Sequence, residues 1–309
     1  MYGYPEPKII QSEVFATLPE QYRQTGKGPR VPTRLSKTGS TLEGPSFDRD
    51  GNLYITDIPN SRIFRISPEG ATTLVTEYDG EPNGLKIHKD GRIFVADHHN
   101  GILQLEPEAG TLTPIVQGPE KERFKGVNDL VFASNGDLYF TDQGATGLHD
   151  PTGRVYKMAP DGRLTLILDT VPSPNGIVLD LTETMIFVAA TRSAAVWNVP
   201  MSPSGVLVKV GLFARLPAGG PDGMAVDVEG NLAVANPGLG VVWLFDRRGL
   251  PIARVDSCAG HHTTNIAYGG PDNRWLYICE GDSYSVLRAE MPHPGQPMFS
   301  HHENRDTAV

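Results

Sequence analysis

From residue 43 onward the chain repeats one arrangement of polar and apolar positions six times. Each copy has a polar residue, a short apolar run, a turn, and a second apolar run that ends on a polar residue, except that the fourth turns through Thr182-Glu183-Thr184 without glycine and fades into Ala189-Ala190. The first copy opens at Glu43-Gly44-Pro45-Ser46-Phe47, turns at Asp50-Gly51 and ends through Leu53-Tyr54-Ile55-Thr56 on Asp57. The second opens at Asn83-Gly84-Leu85, turns at Asp90-Gly91 and ends on Asp97; the third runs from Asn128-Asp129-Leu130 through Asn135-Gly136 to Asp142. The fourth opens at Asn175-Gly176-Ile177, the fifth at Asp222-Gly223-Met224 and the sixth at Asn265-Ile266-Ala267. Asp-Gly and Asn-Gly between apolar runs supply the positive φ of tight hairpins, so each copy predicts two antiparallel strands. A third and a fourth strand follow, as in Arg62–Ile66 with Thr72–Val75, or Val155–Met158 with Leu164–Leu168.

The leading polar positions 43, 83, 128, 175, 222 and 265 lie 40, 45, 47, 47 and 43 residues apart, the period of four-stranded propeller blades. The pattern therefore predicts an all-β protein: one domain over 1–309, a six-bladed β-propeller with four antiparallel strands per blade over residues 43–290. The sixth copy has a third strand at Ser285–Arg288 but no fourth. The missing strand is found at the other end, where Glu13-Val14-Phe15-Ala16-Thr17-Leu18-Pro19 resembles Gly211-Leu212-Phe213-Ala214-Arg215-Leu216-Pro217. A strand within 11–19 is expected to close the last blade and remove its open edge. Residues 20–42 are Gly-, Pro-, Lys- and Arg-rich and too long for an ordinary connection, which makes them a lid or a linker, with a lid favoured because they lead into Glu43. The ending after about Gln296, the tail 297–309, reads as polar and frayed.

Composition narrows the function classes. With 36 acidic against 27 basic residues the formal charge is −9, and no Lys/Arg run tracks a phosphate backbone, so nucleic acid is not an expected partner. Cys258 and Cys279 give neither a disulfide framework nor zinc-binding spacing, which fits a reducing compartment. Neither a secretory leader nor an apolar stretch of membrane-spanning length is visible, and a soluble, cytoplasmic protein with no membrane partner is expected.

The first strand of a propeller blade lines the axis, so Glu43, Asn83, Asn128, Asn175, Asp222 and Asn265 are expected to ring one end of the channel. Every member presents an oxygen and two are carboxylates, a donor set suited to one hard divalent cation: Ca²⁺ first, then Mg²⁺ or Mn²⁺, with Zn²⁺ the remaining alternative. Turn chemistry accounts for any single Asn-Gly or Asp-Gly, yet it does not account for Glu43. Antiparallel pairing brings the end of each second strand back to the same face, so Asp97-His98-His99-Asn100, Asp142-Gln143, Asn236, Glu280-Gly281-Asp282 and the pair His261 and His262 are expected to rim the site. A histidine there is suited to proton transfer or substrate contact. Serine-nucleophile, P-loop and dinucleotide fingerprints are absent from the sequence, and the Asp-x-Asp-Gly at 48–51 is assigned to a hairpin.

In combination and order, Leu42-Glu43-Gly44-Pro45, Gly126-Val127-Asn128-Asp129-Leu130, Tyr139-Phe140-Thr141-Asp142, Ser173-Pro174-Asn175-Gly176 and Gly219-Gly220-Pro221-Asp222-Gly223-Met224 resemble the SMP-30/gluconolactonase/luciferin-regenerating enzyme family over about residues 11–290. The resemblance implies a six-bladed propeller with one catalytic divalent metal, usually opening lactones, with some relatives acting on organophosphates. Carried over by motif, the metal ligands are Glu43, Asn128, Asn175 and Asp222. The implied activity is a metal-dependent lactonase, a carboxylic ester hydrolase whose partner is a small-molecule lactone. Asp222 is the expected general base and His99 its alternative; geometry adds Asn83, His98, His99 and Gln143 as expected substrate contacts. In sugar-lactone relatives, basic and polar residues of blade two contact sugar hydroxyls, whereas here that loop reads Asp97-His98-His99-Asn100. Two rival readings use the same site: a phosphotriester hydrolase, and a non-catalytic propeller in which calcium only braces a channel that binds a ligand or partner.

Overall fold

The computed structural model describes residues 6–23, 40–201 and 209–302, so most of the segment expected as a lid lies outside the described residues. Strands β1 (Lys8–Gln11) and β2 (Glu13–Thr17) precede six antiparallel sheets. Blade one holds β3 (Leu42–Phe47), β4 (Leu53–Asp57), β5 (Arg62–Ile66) and β6 (Thr72–Glu77). Blade two holds β7 (Pro82–Ile87), β8 (Ile93–Asp97), β9 (Gly101–Glu106) and β10 (Thr111–Val116). Blade three holds β11 (Val127–Phe132), β12 (Leu138–Asp142), β13 (Gly153–Met158) and β14 (Leu164–Val171). Blade four holds β15 (Pro174–Leu179), β16 (Met185–Ala190), β17 (Ala195–Pro200) and β18 (Gly211–Arg215). Blade five holds β19 (Met224–Val226), β20 (Leu232–Asn236), β21 (Val241–Phe245) and β22 (Pro251–Asp256). Blade six holds β23 (Thr263–Gly269), β24 (Trp275–Glu280) and β25 (Ser285–Glu290), and β2 completes it as the outer strand against β25.

This is the six-bladed, four-stranded propeller that the period predicts, closed by the N-terminal strand. One feature was not legible: β1 adds a parallel fifth strand to blade five, pairing Lys8 with Ala253 through Gln11 with Asp256. The N-terminal segment thus covers the outer edges of two neighbouring blades and ties them together.

The apolar core lies between blades. Alternation along each strand puts one apolar face against the preceding blade and one against the next, giving an apolar cluster at each junction. Tyr54, Ile63, Leu85 and Val95 fill the junction of blades one and two, and Phe94, Phe132, Phe140 and Tyr156 fill that of two and three. Phe47, Phe64, Tyr277 and Cys279 seal blade six against blade one, where the ring closes. Phe64 and Phe140 are fully buried, each contributing about 1.5–3 kcal/mol by leaving water.

Among the residues ending the second strands, Asp97, Asp142, Asn236 and Glu280, expected at the rim of the site, are buried anchors. Asp57, Asp97, Asp142, Asn236 and Glu280 have no exposed surface. Asp97 accepts hydrogen bonds from the backbone N–H groups of Glu81, His99 and Asn100 and from the Tyr78 hydroxyl. Glu280 accepts from the N–H groups of His262, Asp282 and Ser283. Each carboxylate gathers loop donors that water cannot reach, which is why an acid recurs there.

Asp57 shows what this burial costs. Its carboxylate accepts from Ser40 Oγ at 3.0 Å and Asn60 Nδ2 at 2.9 Å, yet desolvation outweighs these donors and lifts its pKa from 3.8 to about 6. A carboxyl raised in the folded state holds its proton longer than in the unfolded chain. The stability it contributes is therefore full below pH 3.8 and lost as the pH rises through 6, a swing of about 3 kcal/mol. Asn236 occupies the corresponding position of blade five, so an amide is compatible with the loop. In urea titrations, Asp57→Asn should gain on the wild type by up to about 3 kcal/mol between pH 3.5 and pH 7.5. A difference that stays constant across that range would refute the assignment.

The described part of the ending also differs from expectation, and residues 303–309 lie outside the described residues. Residues 296–302 are packed across the lower mouth of the channel, not frayed. Phe299 is buried and stacks on Phe132 at 5.1 Å, Ser300 Oγ donates to the Phe47 carbonyl, and the Arg49 guanidinium holds the carbonyls of Ser300 and His302. Above this floor lies a cavity of about 110 Å³, lined by Ser46, Lys86, Val131, Val178, Ala225 and Ala267 from the six innermost strands.

Candidate metal centre at the upper end of the channel

The site begins with a recurrent bulge. In blades one to four and six, the pairing of the first strand with the second shifts register by one residue, between Glu43 and Ser46, Pro82 and Leu85, Val127 and Leu130, Pro174 and Ile177, and Thr263 and Ile266. A bulge re-aims side chains locally, so residues three apart can both face the axis. The upper ring is thereby Glu43, Asn83, Asn128, Asn175 and Asp222, and the residues three further on line the lower cavity.

Register corrects the sixth member. Thr263 pairs with Glu280 as Leu42 pairs with Asp57, so Thr264, not Asn265, stands in the Glu43 position. The Thr264 hydroxyl donates to the Leu42 carbonyl, joining blade six to blade one at ring level. Thr56 and Thr141 make equivalent bonds to the carbonyls of Asn83 and Asn175, each at 2.7 Å. Asn265 takes the next position, which in the other blades is Gly44, Gly84, Asp129, Gly176 and Gly223.

That second position holds one more carboxylate, Asp129, outside the expected ring. Asp129 is 2 % exposed and faces Asn265 across the axis, with Asn265 Nδ2 donating to Asp129 Oδ2 at 3.4 Å. Each folds one side-chain oxygen back to the N–H of the following residue, at 2.8 Å in both. The glycines of the neighbouring blades make room for them: a Cβ on Gly84 would stand 2.5 Å from Asp129 Oδ1, and one on Gly223 would collide with Asn265. A signal was available, since Asp129 is a charged residue in a column otherwise filled mostly by glycine.

Three carboxylates thus converge. Glu43 is 3 % exposed, and burial, with Asp129 next in effect, raises its pKa to about 8; bonds from Asn265 and the Gly44 N–H pull the other way. Asp222 is held well above the ordinary carboxylate range by burial and then by Glu43 and Asp129, against a hydrogen bond from Asn175. Like charges in a dry channel resist joint ionisation unless a cation joins them.

The Asn128 amide is turned to offer its oxygen. Asn128 Nδ2 donates to Gln143 Oε1 at 2.9 Å, and Gln143 Nε2 donates to Ser173 Oγ at 3.0 Å. With its nitrogen engaged, Asn128 leaves Oδ1 buried and without a partner, as are Asn83 Oδ1 and Asp222 Oδ1. Orphaned buried acceptors of this kind are rare and call for an unseen donor or cation. Gln143, expected to touch substrate, has both ends of its amide engaged, one with Asn128 and one with Ser173. Among the described residues no three or more of His, Cys, Asp and Glu form a ready ligand cage; the donor set here is two carboxylates and two amides, all oxygen.

Above the ring, His98 and His99 follow Asp97 at the upper mouth. His99 Nε2 lies 3.2 Å from Glu81 Oε1, and burial lowers the pKa of His98. His98 packs against Gly126, where a Cβ would strike its ring, and so leans towards blade three. His261 and His262 are separate from this pair. The backbone N–H of His261 donates to Asp282, and His262 is buried beside Gly281 with its pKa lowered by burial.

Fold and site together define a six-bladed propeller with a ring of buried oxygen acceptors around its axis. The profile of the SMP-30/Gluconolactonase/LRE-like region matches residues 41–281, and the chain belongs to this family. It is 32 % identical over 266 residues to the lactonase drp35 of Staphylococcus aureus strain MW2, covering 80 % of this chain and 81 % of that protein. Among solved structures it resembles the calcium-binding protein regucalcin of Agrobacterium tumefaciens, with a TM-score of 0.78 and 21 % identity over 96 % of this chain and all of that one. A gluconolactonase of Xanthomonas campestris superposes with a TM-score of 0.73 and 21 % identity, over 86 % and 95 % of the two chains. No helix among the described residues is long and apolar enough to cross a membrane.

Proposed function

We propose that this protein is a divalent-cation-dependent hydrolase that opens a small lactone at the upper mouth of the channel. The observation that carries the reading is the convergence of the unpartnered Asn128 Oδ1 and Asp222 Oδ1 on the axis that Glu43 also faces. A lactonase among the relatives supports the substrate class, and a calcium-binding neighbour supports the cation. Glu43, Asn128, Asn175 and Asp222 would hold the ion, calcium first by donor chemistry. When bound, the ion supplies electrostatic stabilisation of the charge that develops on the lactone carbonyl oxygen.

The chain's own residues do the remainder. Asp222 accepts the proton of the water that attacks the carbonyl carbon and returns it to the ring oxygen as the carbon–oxygen bond of the ring breaks, leaving a hydroxy acid. Gln143 and Ser173 keep the Asn128 oxygen pointed inward, so the donor set is assembled before substrate arrives. Asn83, His98 and His99 face the incoming ring, with Glu81 fixing the orientation of His99. His99 is the alternative base.

The test is chelation followed by add-back of Ca²⁺, Mn²⁺, Mg²⁺ or Zn²⁺, assayed on sugar, aliphatic and aromatic lactones and on a phosphotriester. Turnover of a lactone that disappears with the cation and returns with it is the expected result. A cation that raises the melting temperature while no lactone is consumed would replace this reading with the braced, ligand-binding one. Consumption of the phosphotriester alone would shift it to the organophosphate class.

A further inference from the structure

Below the ring stands a charge that the proposed chemistry does not use. Lys86 lies on β7 three residues past Asn83, and the bulge between Pro82 and Leu85 returns it to the channel face. Its side chain lines the lower cavity. The ammonium donates to the carbonyls of Leu85 at 3.2 Å and Pro45 at 3.5 Å, so no carboxylate cancels it by direct contact among the described residues. Pro45 is two residues from Glu43, and Lys86 is the cation that acts on the Glu43 carboxyl. The Asp129–Asn265 contact spans the axis at the level next below the ring, so Lys86 approaches from the side opposite the substrate.

Counting formal charges in the channel gives three carboxylates, Glu43, Asp129 and Asp222, against one ammonium. Arg192 also faces Asp222, but it is exposed and water-screened. We propose that Lys86 sets the net charge of the channel site at −2 and thereby fits it to a divalent rather than a trivalent cation. The inference rests on the cation reading above and adds a selectivity-determining residue to it: Lys86 touches neither substrate nor reacting atoms.

The interaction of a fixed charge with an ion scales with the ion's charge. Removing Lys86 therefore strengthens binding of both ions, by a factor for a trivalent ion equal to the divalent factor raised to the power of three halves. If Lys86→Met tightens Ca²⁺ about tenfold, Tb³⁺ should tighten about thirtyfold, a gain of about threefold in preference for Tb³⁺.

The experiment titrates chelator-stripped wild type, Lys86→Met, Lys86→Gln and Lys86→Arg with Ca²⁺ by calorimetry and with Tb³⁺ by luminescence, with no turnover assay involved. Lys86→Gln serves if the methionine variant fails to fold, and Lys86→Arg keeps the charge and should keep the wild-type ratio. An unchanged Tb³⁺/Ca²⁺ ratio in the neutral variants, or an equal shift in Lys86→Arg, overturns the role of Lys86 while leaving the cation site intact. Wild type that takes up neither ion overturns the cation reading itself, and this inference with it.

Discussion

Asp222→Asn should lower lactone turnover by about 10³-fold or more, and excess cation should not restore it. The substitution keeps the shape of the side chain and the bond from Asn175 while removing one of three converging negative charges. Two losses follow from that single change. The cation is held less tightly, and the group that accepts the water proton is gone, since an amide cannot serve as a base at neutral pH. Glu43→Gln separates the two. It also removes one carboxylate from the ring, so it weakens cation binding by a similar route, but it leaves Asp222 in place. Its activity should therefore recover towards wild type at saturating Ca²⁺, whereas that of Asp222→Asn should stay low. His99→Gln completes the comparison: if His99 were the base, His99→Gln and not Asp222→Asn would keep the deficit at saturating cation. Full activity in purified Asp222→Asn would remove Asp222 from the mechanism.

The contrast between these residues and their neighbours explains what could be read from the sequence. Blade number and most of the ring were legible because a period of 40 to 47 residues repeats side chains that must meet at one axis. The sixth ring position was misplaced by one, because Asn265 resembles the leading residues chemically and Thr264 does not; only the pairing of Thr263 with Glu280 reveals that a hydroxyl holds that place. Asp129 is masked by its neighbour Asn128, which carries the repeat, although a carboxylate where four of the other blades have glycine is a departure visible in the sequence. The acids ending the second strands are legible by their end of the blade and not by their task. Strand direction locates them near the site, but only the donors around Asp97 and Glu280 show that loops are folded onto them. The lower mouth was hidden for a different reason: residues 296–302 have no strand periodicity, and their place depends on contacts with Phe47, Phe132 and Arg49 far away in sequence.

Gly176→Ala tests the other condition on which the site depends, the close approach of adjacent blades at ring level. Gly176 has no positive φ, so its backbone would accept alanine, and the loss of unfolded-chain entropy alone would favour the substitution by about 0.4–1 kcal/mol. The added Cβ, however, would overlap the Asp222 carbonyl and stand 3.0 Å from the Gly223 Cα. Both obstacles are backbone, so no side chain can swing aside, and blades four and five must separate between Asn175 and Asp222. Overpacking of this kind costs about 1–3 kcal/mol. Gly176→Ala should therefore be destabilised by about 2 kcal/mol in urea and should also bind Ca²⁺ more weakly, because the bond between Asn175 and Asp222 crosses the junction being forced apart. Gly91→Ala supplies the control: its Cβ meets nothing within 4 Å, but its φ of +92° lies where an L side chain is strained. That variant should lose comparable stability on a distant hairpin and keep its full cation affinity. Equal calcium affinity in the two variants would mean that the spacing of blades four and five does not govern the site.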